Sequence, residues 1–166
     1  VKAIEQALKK YNISPKDVSL LAHATTVVTN AILEEKGAKV GLISTLGFRD
    51  ILELRRSARA DLYDLFQDPP SVLVQRRNRF EITERIDAEG QVVIPIVEDE
   101  IEQIISKLNT ARVDAVAVSL LCSFLNDEHE ALVGRRLREA LPNIPVFLSS
   151  EVLPEIREFE RTSTTA

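Results

Sequence analysis

An amphipathic segment followed by an apolar run constrains the fold of this chain more than any other feature of its sequence. Residues 101–108 place apolar side chains at helical spacing, behind acidic residues at 98–100 that suit a helix N-terminus. The stripe consists of Ile101, Ile104, Ile105 and Leu108. The run 115–121 that follows is mainly apolar, as is typical of a central strand covered on both faces. The amphipathic helix and the apolar strand that follows it together predict an α/β domain with a largely parallel sheet and flanking helices.

Other segments extend this pattern along the chain. Helical spacing predicts helices over residues 1–11, 26–36, 50–59 and 127–141, and short apolar runs predict strands over 18–22, 40–45 and 146–148. Gly37 is the expected left-handed C-cap of the second helix. Asp127 and Glu130 have the spacing of an acidic capping box at the start of the last of these helices, which Pro142 ends.

Residues 79–94 change to a period of two. Phe80, Ile82 and Ile86 alternate with polar residues, and a turn at 87–90 leads into a second extended run over 91–94. This pattern predicts a β-hairpin with one wet face, inserted in the main sheet or lying at its edge. Within the hairpin, Glu84 and Arg85 are expected to pair across strands and to carry no chemistry.

The carboxyl ends of the predicted parallel strands define a candidate cleft. Ligands of open α/β sheets bind beyond these ends, which here are the loops 25–26, 45–49, 122–126 and 149–151. Thr25 and Thr26 offer hydroxyls and helix N-terminal amides, Asn30 shares a helix face with Thr26, and Arg49 is a bidentate cation for a phosphate or carboxylate. The alternative, that Thr25 and Thr26 only cap a helix, is equally consistent with the sequence.

The remaining chemistry-bearing residues are less informative. Glu160 and Arg161 form either an ion pair or a substrate clamp, and their setting before a Ser/Thr run favours a structural role. Cys122 is expected to be a buried small side chain rather than a nucleophile. No residue is an obvious general base, so the catalytic residues stay unassigned, and no His, Cys and Asp grouping has metal-ligand spacing.

Composition excludes some classes of function. The 166 residues carry a net charge of −5, with a pI near 5.2, which argues against a nucleic-acid or acidic-membrane binder. Arginines do cluster at 55–59 and 76–79, where solvated faces or local ion pairs are more common than phosphate or subunit contacts. One cysteine suits a reducing, cytoplasmic setting, and no apolar run approaches the ~20 residues of a membrane span.

A family resemblance is carried by specific residues. Ala24-Thr25-Thr26 after His23, Thr29-Asn30-Ala31 in the next helix, and the continuation to Leu54 resemble the N-terminal region of the hydantoinase A and 5-oxoprolinase family. The likeness resumes at residues 61–65, 79–80, 84–86, 116–121 and 148–165. It therefore extends over nearly the whole chain.

The resemblance implies one lobe of an actin-like or sugar-kinase-like ATPase fold and an enzyme that uses ATP and Mg²⁺. The implied reaction is hydrolysis of a cyclic amide such as a hydantoin, an N-methylhydantoin or 5-oxoproline, coupled to ATP cleavage. A hydantoinase B-type subunit or domain is the implied partner. Two alternatives stay open, a subunit of an ATP-dependent ketone carboxylase with the same fold, and a non-catalytic scaffold domain that binds a partner subunit.

Two departures from the family pattern bear on these expectations. The family has a glycine-rich phosphate hairpin ahead of this region and a second lobe after it, and neither is found in residues 1–166. We therefore expect this chain to be a single α/β domain and part of a longer enzyme, inactive alone. In addition, Ala24 stands where the family usually has glycine, which adds a methyl group at a turn.

Overall fold

The computed structural model describes residues 2–20, 26–34, 37–57, 63–64, 66 and 71–166. The chain forms two compact units, Val1–Gly37 and Ala38–Ala166. The predictions for residues 21–25, which include Thr25, lie outside the described residues.

The first unit contains two short helices. Helix α1 spans Lys2–Lys10, a 3₁₀ turn spans Pro15–Asp17, and helix α2 spans Val27–Leu33. The turn begins at Ser14, whose hydroxyl accepts the Lys16 N–H at 3.3 Å. The predicted helix and turn are confirmed. The strand predicted at 18–22 is not formed over its described part, because residues 18–20 adopt neither helix nor strand and are exposed.

Helix α2 begins where it was predicted to begin but ends earlier. Thr26 is its N-cap residue, but the Thr26 side chain makes no capping hydrogen bond. The helix ends at Leu33 and its C-cap residue is Glu34, so the predicted C-cap at Gly37 is wrong.

The second unit is a parallel sheet between helices. Among the described residues, the main sheet has the order β2-β1-β5-β6, and every pairing in it is parallel. Its strands are β1 Val40–Thr45, β2 Arg79–Ile82, β5 Ala115–Ser119 and β6 Val146–Leu148. The helices are α3 Ile51–Leu54, α4 Glu98–Ala111, α5 Glu128–Ala140, α6 Ser149–Val152 and α7 Glu158–Thr165. The predicted α/β class is confirmed.

Alternating side chains of the sheet face two cores. Ile43, Val116 and Val118 are fully buried with residues of α4 and α5 on one face. Leu42 and Ala117 face the opposite side, where they pack with Leu52 of α3 and with Val74. This period of two explains why β1 and β5 are apolar almost throughout, since both of their faces are covered.

The predicted hairpin is present but smaller than expected. Residues Arg79–Ile82 form β2 and pair with β1 in the main sheet. Only β3 (Arg85–Ile86) pairs antiparallel with β4 (Val92–Ile94). In the turn, the Asp87 carboxylate accepts the N–H groups of residues 89 and 91, and Gly90 has φ of +79°. A period of two predicts a strand but does not identify the strand with which it pairs, so this part of the prediction was wrong.

Two helix predictions also need correction. Helix α3 ends at Leu54 rather than at residue 59, because Arg55 and Ser57 have positive φ. The capping box of α5 does not form, since the N-cap Asp127 makes no side-chain hydrogen bond. Glu130 turns into the protein instead, where it is fully buried. The predicted starts of α4 and α5 and the strands at 40–45 and 146–148 are confirmed, and the strand predicted at 115–121 is formed over Ala115–Ser119.

Candidate functional site at the carboxyl edge of the sheet

The carboxyl ends of β1, β5 and β6 lie at one edge of the main sheet, because the three strands are parallel neighbours. The next strand of the main sheet along the chain, β2, lies on one side of β1, whereas β5 and β6 lie on the other side. The boundary between β1 and β5 is therefore a topological switch point, where ligands of open α/β sheets bind. The residues after these strands form the carboxyl-edge site, namely residues 45–49, 120–126 and 149–151.

A buried polar cluster bridges the switch point. The hydroxyl of Thr45 accepts the Leu121 N–H at 2.9 Å and donates to Oε1 of Glu84. The other carboxylate oxygen, Oε2, lies 2.7 Å from Nδ1 of His129. Thr45, Glu84 and His129 are all at most 5% exposed. The cluster thus joins β1, the loop after β2, the end of β5 and the start of α5.

Glu130 joins the ends of β5 and β6. It is fully buried, and its Oε1 accepts the Leu120 N–H at 2.8 Å and the Ser149 hydroxyl at 2.6 Å. Its Oε2 accepts the N–H and the hydroxyl of Ser150 at 2.9 and 2.8 Å. A buried carboxylate with four donors is fully paired, which is the condition for a stable buried charge.

Arg161 completes this network from α7. Its guanidinium is fully buried and donates to the Ser149 hydroxyl at 3.0 Å, the Leu120 carbonyl at 2.7 Å and the Glu155 carbonyl at 2.9 Å. It also pairs with Glu158. All three nitrogens are therefore used inside the protein, which favours the structural role of Arg161 over a substrate clamp.

Glu160 and Arg161 do not pair with each other. Glu160 pairs with Arg56, whose side chain is half exposed. Because adjacent residues of a helix point in different directions, each of the two finds its own partner. The expected ion pair between them is thus replaced by Arg56–Glu160 and Glu158–Arg161.

Burial shifts the acidity of two groups near this network. Burial raises the pKa of Glu158 above its ordinary value of 4.5, against the opposing charge of Arg161. Burial also raises the pKa of the Cys122 thiol, and the nearby Glu158 carboxylate adds to the rise. A thiol with a raised pKa is a poor nucleophile. Cys122 is only partly buried and has φ of +57°, so the expectation of a buried side chain is wrong, and that it is not a nucleophile stays a prediction.

An arginine and carboxylate cluster surrounds the loop after β1. Arg76 donates to Asp50 through two nitrogens at 3.0 and 3.2 Å, and this hydrogen bonding lowers the pKa of Asp50. Arg79 is buried and donates to the Val74 carbonyl at 2.9 Å. Arg49 donates through Nη2 to the Arg76 carbonyl at 3.0 Å. Its buried Nε–H has no hydrogen-bond partner among the described residues.

The structure places the predicted site residues differently. Arg49 lies in the second unit, in the loop after β1, and its guanidinium donates to the carbonyl of Arg76, which precedes β2. Thr26 and Asn30 belong to the first unit and are exposed, on α2. Thr25 lies outside the described residues. That these residues bind a substrate or nucleotide stays a prediction.

Sequence reasoning missed three buried members of the edge, which are Glu84, His129 and Glu130. Glu84 was expected to pair on the surface of a hairpin, and Glu130 to cap a helix. The hydrogen-bond partners of Glu84 and Glu130 lie 10 to 45 residues away in the sequence, so no local sequence pattern predicts these contacts. One signal was present, because Thr45 ends an apolar strand at the edge where ligands bind.

Three backbone amides at the carboxyl edge of the second unit are not free to bind a phosphate. Phosphate is bound by free amides or cations, and these three amides are already paired within the chain. Gly47 N–H donates to Glu81 at 2.8 Å, Leu121 N–H to Thr45 at 2.9 Å, and Ser150 N–H to Glu130 at 2.9 Å. Throughout the described residues, no group of three or more His, Cys, Asp or Glu side chains is arranged to hold a metal ion.

Comparison with known proteins identifies the family. A family model described as the hydantoinase/oxoprolinase N-terminal region matches residues 1–141. The chain belongs to the hydantoinase/oxoprolinase family. It is 40% identical to caprolactamase subunit alpha of Pseudomonas jessenii, over 90% of this chain and 22% of that protein. It is 31% identical to the acetophenone carboxylase gamma subunit of Aromatoleum aromaticum, over 98% of this chain and 24% of that subunit.

Two solved structures share the fold of this family member. The ATP-dependent caprolactamase of Pseudomonas jessenii matches with a TM-score of 0.86 and 36% identity, over 99% of this chain and 25% of that one. A nucleotide-free acetone carboxylase matches with a TM-score of 0.81 and 28% identity, over 95% and 24%. The chain thus resembles one lobe of an actin-like ATPase fold, and it spans a quarter or less of the length of these relatives.

The family includes amide hydrolases and ketone carboxylase subunits. Several of these relatives are named as subunits, which is consistent with partner subunits in the family. Over the part of this chain that the structure describes, no helix is long and apolar enough to cross a membrane.

Proposed function

We propose that this chain is the N-terminal lobe of an ATP-dependent enzyme that hydrolyses a cyclic amide such as a hydantoin or 5-oxoproline. The observation that carries the proposal is the match to caprolactamase, at 40% sequence identity with the subunit and a TM-score of 0.86 with the solved structure. Caprolactam is itself a cyclic amide. The identity with the acetophenone carboxylase subunit is lower, at 31%.

Arg49 is the residue of the carboxyl edge that we assign to ligand binding. A buried donor without a partner is rare in proteins and marks a place where a partner is missing. Its Nε–H fulfils that description, and a planar guanidinium recognises the oxygens of a phosphate or carboxylate. Thr25, Thr26 and Asn30, in the first unit, are proposed as a separate assignment to bind substrate or nucleotide. Glu160 and Arg161 are proposed to support the site through their pairings.

We propose that ATP and Mg²⁺ are held mainly by parts of a longer protein, since three backbone amides of this edge are occupied. A hydantoinase B-type subunit or domain is the proposed partner, and the cytoplasm the proposed location. The length of the relatives, about four times that of this chain, is consistent with such a division.

The test is ATP hydrolysis by the protein that carries this chain, measured with caprolactam, hydantoin or 5-oxoproline in turn. We expect ATP cleavage to rise with one of these lactams and not with a ketone and bicarbonate. Arg49→Ala and Arg49→Lys should each lower kcat/KM by about tenfold or more, which corresponds to about 1.4 kcal/mol of lost transition-state stabilisation. Arg135→Ala is the matched control, since Arg135 is exposed on α5 away from the edge.

Other results would point to the alternatives. ATP use that requires bicarbonate and a ketone together would favour the carboxylase subunit. Tight association with a second chain, with no nucleotide dependence in the assembled protein, would favour the scaffold. Unchanged turnover in both Arg49 variants would refute the assignment of Arg49 to ligand binding. It would not refute hydrolysis of a cyclic amide, which the substrate assay tests separately.

A further inference from the structure

A basic groove lies at the other end of the sheet from the carboxyl edge. It has a volume of about 620 Å³ and runs between the C-terminal turns of α4 and the start of β2. Lys39, which lines it, directly precedes β1, whereas Thr45 of the carboxyl edge ends that strand. The six residues of β1 span about 20 Å, so the groove and the carboxyl edge are separate places.

The charge of the groove is opposite to that of the chain. Lys39, Arg77 and Lys107 line it, and no Asp or Glu is among its lining residues, although the chain as a whole has a net charge of −5. Asp114 approaches only through the backbone of Lys39, whose N–H its carboxylate accepts at 2.8 Å. Three cations without a lining carboxylate favour an anion.

Arg77 differs from the two arginines beside it. Arg76 is paired with Asp50, and Arg79 is buried with Asp50 and Glu53. Arg77 is exposed and makes no ion pair or side-chain hydrogen bond with the described residues, and the same holds for Lys107 of α4. Arg77 is therefore the one of these three arginines whose charge faces the basic groove.

Asn78 supplies the observation that points to a ligand. It is 6% exposed and lines the groove, yet its side-chain amide makes no hydrogen bond within the described part of the chain. Buried polar side chains are normally paired, and the Asn78 amide reaches the groove rather than being sealed inside. An unpaired amide in the wall of a groove offers two donors to an anion oxygen.

The remaining lining residues indicate the kind of anion. Lys39 donates to the carbonyl of Ala111, the last residue of α4, which leaves two of its three ammonium hydrogens. The half-buried ring of Phe80 forms an apolar wall, and the Ser106 hydroxyl lies on the α4 side. The volume is within the range of small-molecule sites, about 300–1,000 Å³.

We propose that this groove binds a phosphate monoester that carries a small aromatic group. Arg77 and Lys107 pair with the phosphate, the Asn78 amide donates to one of its oxygens, and the aromatic group packs on Phe80. Arginine and lysine are both common phosphate ligands, and an aromatic wall adds apolar contact area. The proposal does not depend on the reaction proposed above, because it uses none of the residues of the carboxyl edge.

The test is an NMR titration of the ¹⁵N-labelled chain with phenyl phosphate, inorganic phosphate and phenol. Phenyl phosphate should give saturable shifts at the Asn78 side-chain amide and at the backbone of Lys107, with a Kd of about 1 mM. Inorganic phosphate should bind at the same residues several-fold more weakly, because it lacks the contact with Phe80. Phenol should give no saturable shift there, because it lacks the charge.

Charge reversal provides the decisive comparison. Lys107→Glu should raise the Kd for phenyl phosphate by about tenfold or more, whereas Lys9→Glu, the same charge change on exposed α1, should change it less than twofold. Arg77→Gln is a second variant, which should weaken binding without adding a negative charge. Absence of saturation, shifts spread over residues outside the groove, or equal affinity in Lys107→Glu and Lys9→Glu would overturn the proposal.

Discussion

Replacing Glu130 with glutamine tests whether one buried carboxylate holds the ends of two strands together. Each carboxylate oxygen accepts one backbone N–H, Oε1 from Leu120 and Oε2 from Ser150. Glutamine keeps the shape of the side chain but replaces one oxygen with an NH₂ group. No orientation of the amide then satisfies both N–H groups, because one of them must face another donor.

The size of the effect follows from this geometry. Loss of one hydrogen bond to a charged acceptor costs about 1.5–3 kcal/mol, and the donor left buried and unpaired adds to it. We therefore expect Glu130→Gln to lower the free energy of unfolding by about 3 kcal/mol. Glu139→Gln is the matched control, because Glu139 is exposed on the same helix, and it should change stability by about 0.5 kcal/mol or less.

The assay is urea unfolding followed by circular dichroism, with the free energy extrapolated linearly to water. Hydrogen exchange at the Leu120 and Ser150 amides adds a local measurement, since the amide that loses its acceptor should exchange faster in Glu130→Gln. A loss below about 1 kcal/mol in Glu130→Gln, or an equal loss in Glu139→Gln, would refute the reasoning that this carboxylate joins the strand ends.

Three further predictions concern other parts of the same unit. Arg161→Lys should lower the unfolding free energy by about 3 kcal/mol, because an ammonium cannot reach all the acceptors of the guanidinium. Arg157→Lys is the control, since Arg157 is exposed, and it should lower the unfolding free energy by about 0.5 kcal/mol or less in the same urea assay. Burial raises the folded-state pKa of Glu158, so its contribution to stability is fully present below its ordinary value of 4.5 and is lost as pH rises through the raised value. Glu158→Gln should remove this loss of stability as pH rises above 4.5. If the slope of unfolding free energy against pH in that range is unchanged in Glu158→Gln, the role given to Glu158 is refuted. Gly41→Ala should lower the melting temperature and the unfolding free energy, the latter by about 2 kcal/mol, because its Cβ would lie 2.5 Å from a leucine side chain of α4. Gly37→Ala, whose Cβ would have no atom within 4 Å, should leave the melting temperature unchanged. Equal shifts of the two variants in a thermal scan would exclude this steric cause.

Local pattern was sufficient to predict the elements that form the core of the second unit. The stripe of α4 and the apolar runs of β1, β5 and β6 were located from periodicity, because each buries a continuous apolar face that its own residues define. Periodicity also fixed the α/β class. It failed at helix ends, where the expected caps do not form, and at β2, whose pairing partner is 37 residues away.

The carboxyl-edge site was predicted in position but not in its buried contents. Sequence reasoning treats a glutamate or an arginine as a surface residue unless a partner is evident, and here the partners come from distant segments. Glu84 meets His129 across 45 residues, and Thr45 meets the Leu121 amide across 76. Which charged residue is buried is thus decided by the topology of the sheet, which a single sequence does not display.

The paired amides determine how a ligand can be recognised at the carboxyl edge. A ligand that used the Gly47 amide would displace the carboxylate of Glu81, and one that used the Ser150 amide would displace a fully buried Glu130. Each displacement leaves a carboxylate without its donor, a loss that the new contact must exceed. Arg49 carries no such cost, since its Nε–H has no partner to lose among the described residues. Arg49→Lys therefore separates charge from geometry, because it keeps the positive charge and removes the free Nε–H on which the assignment rests.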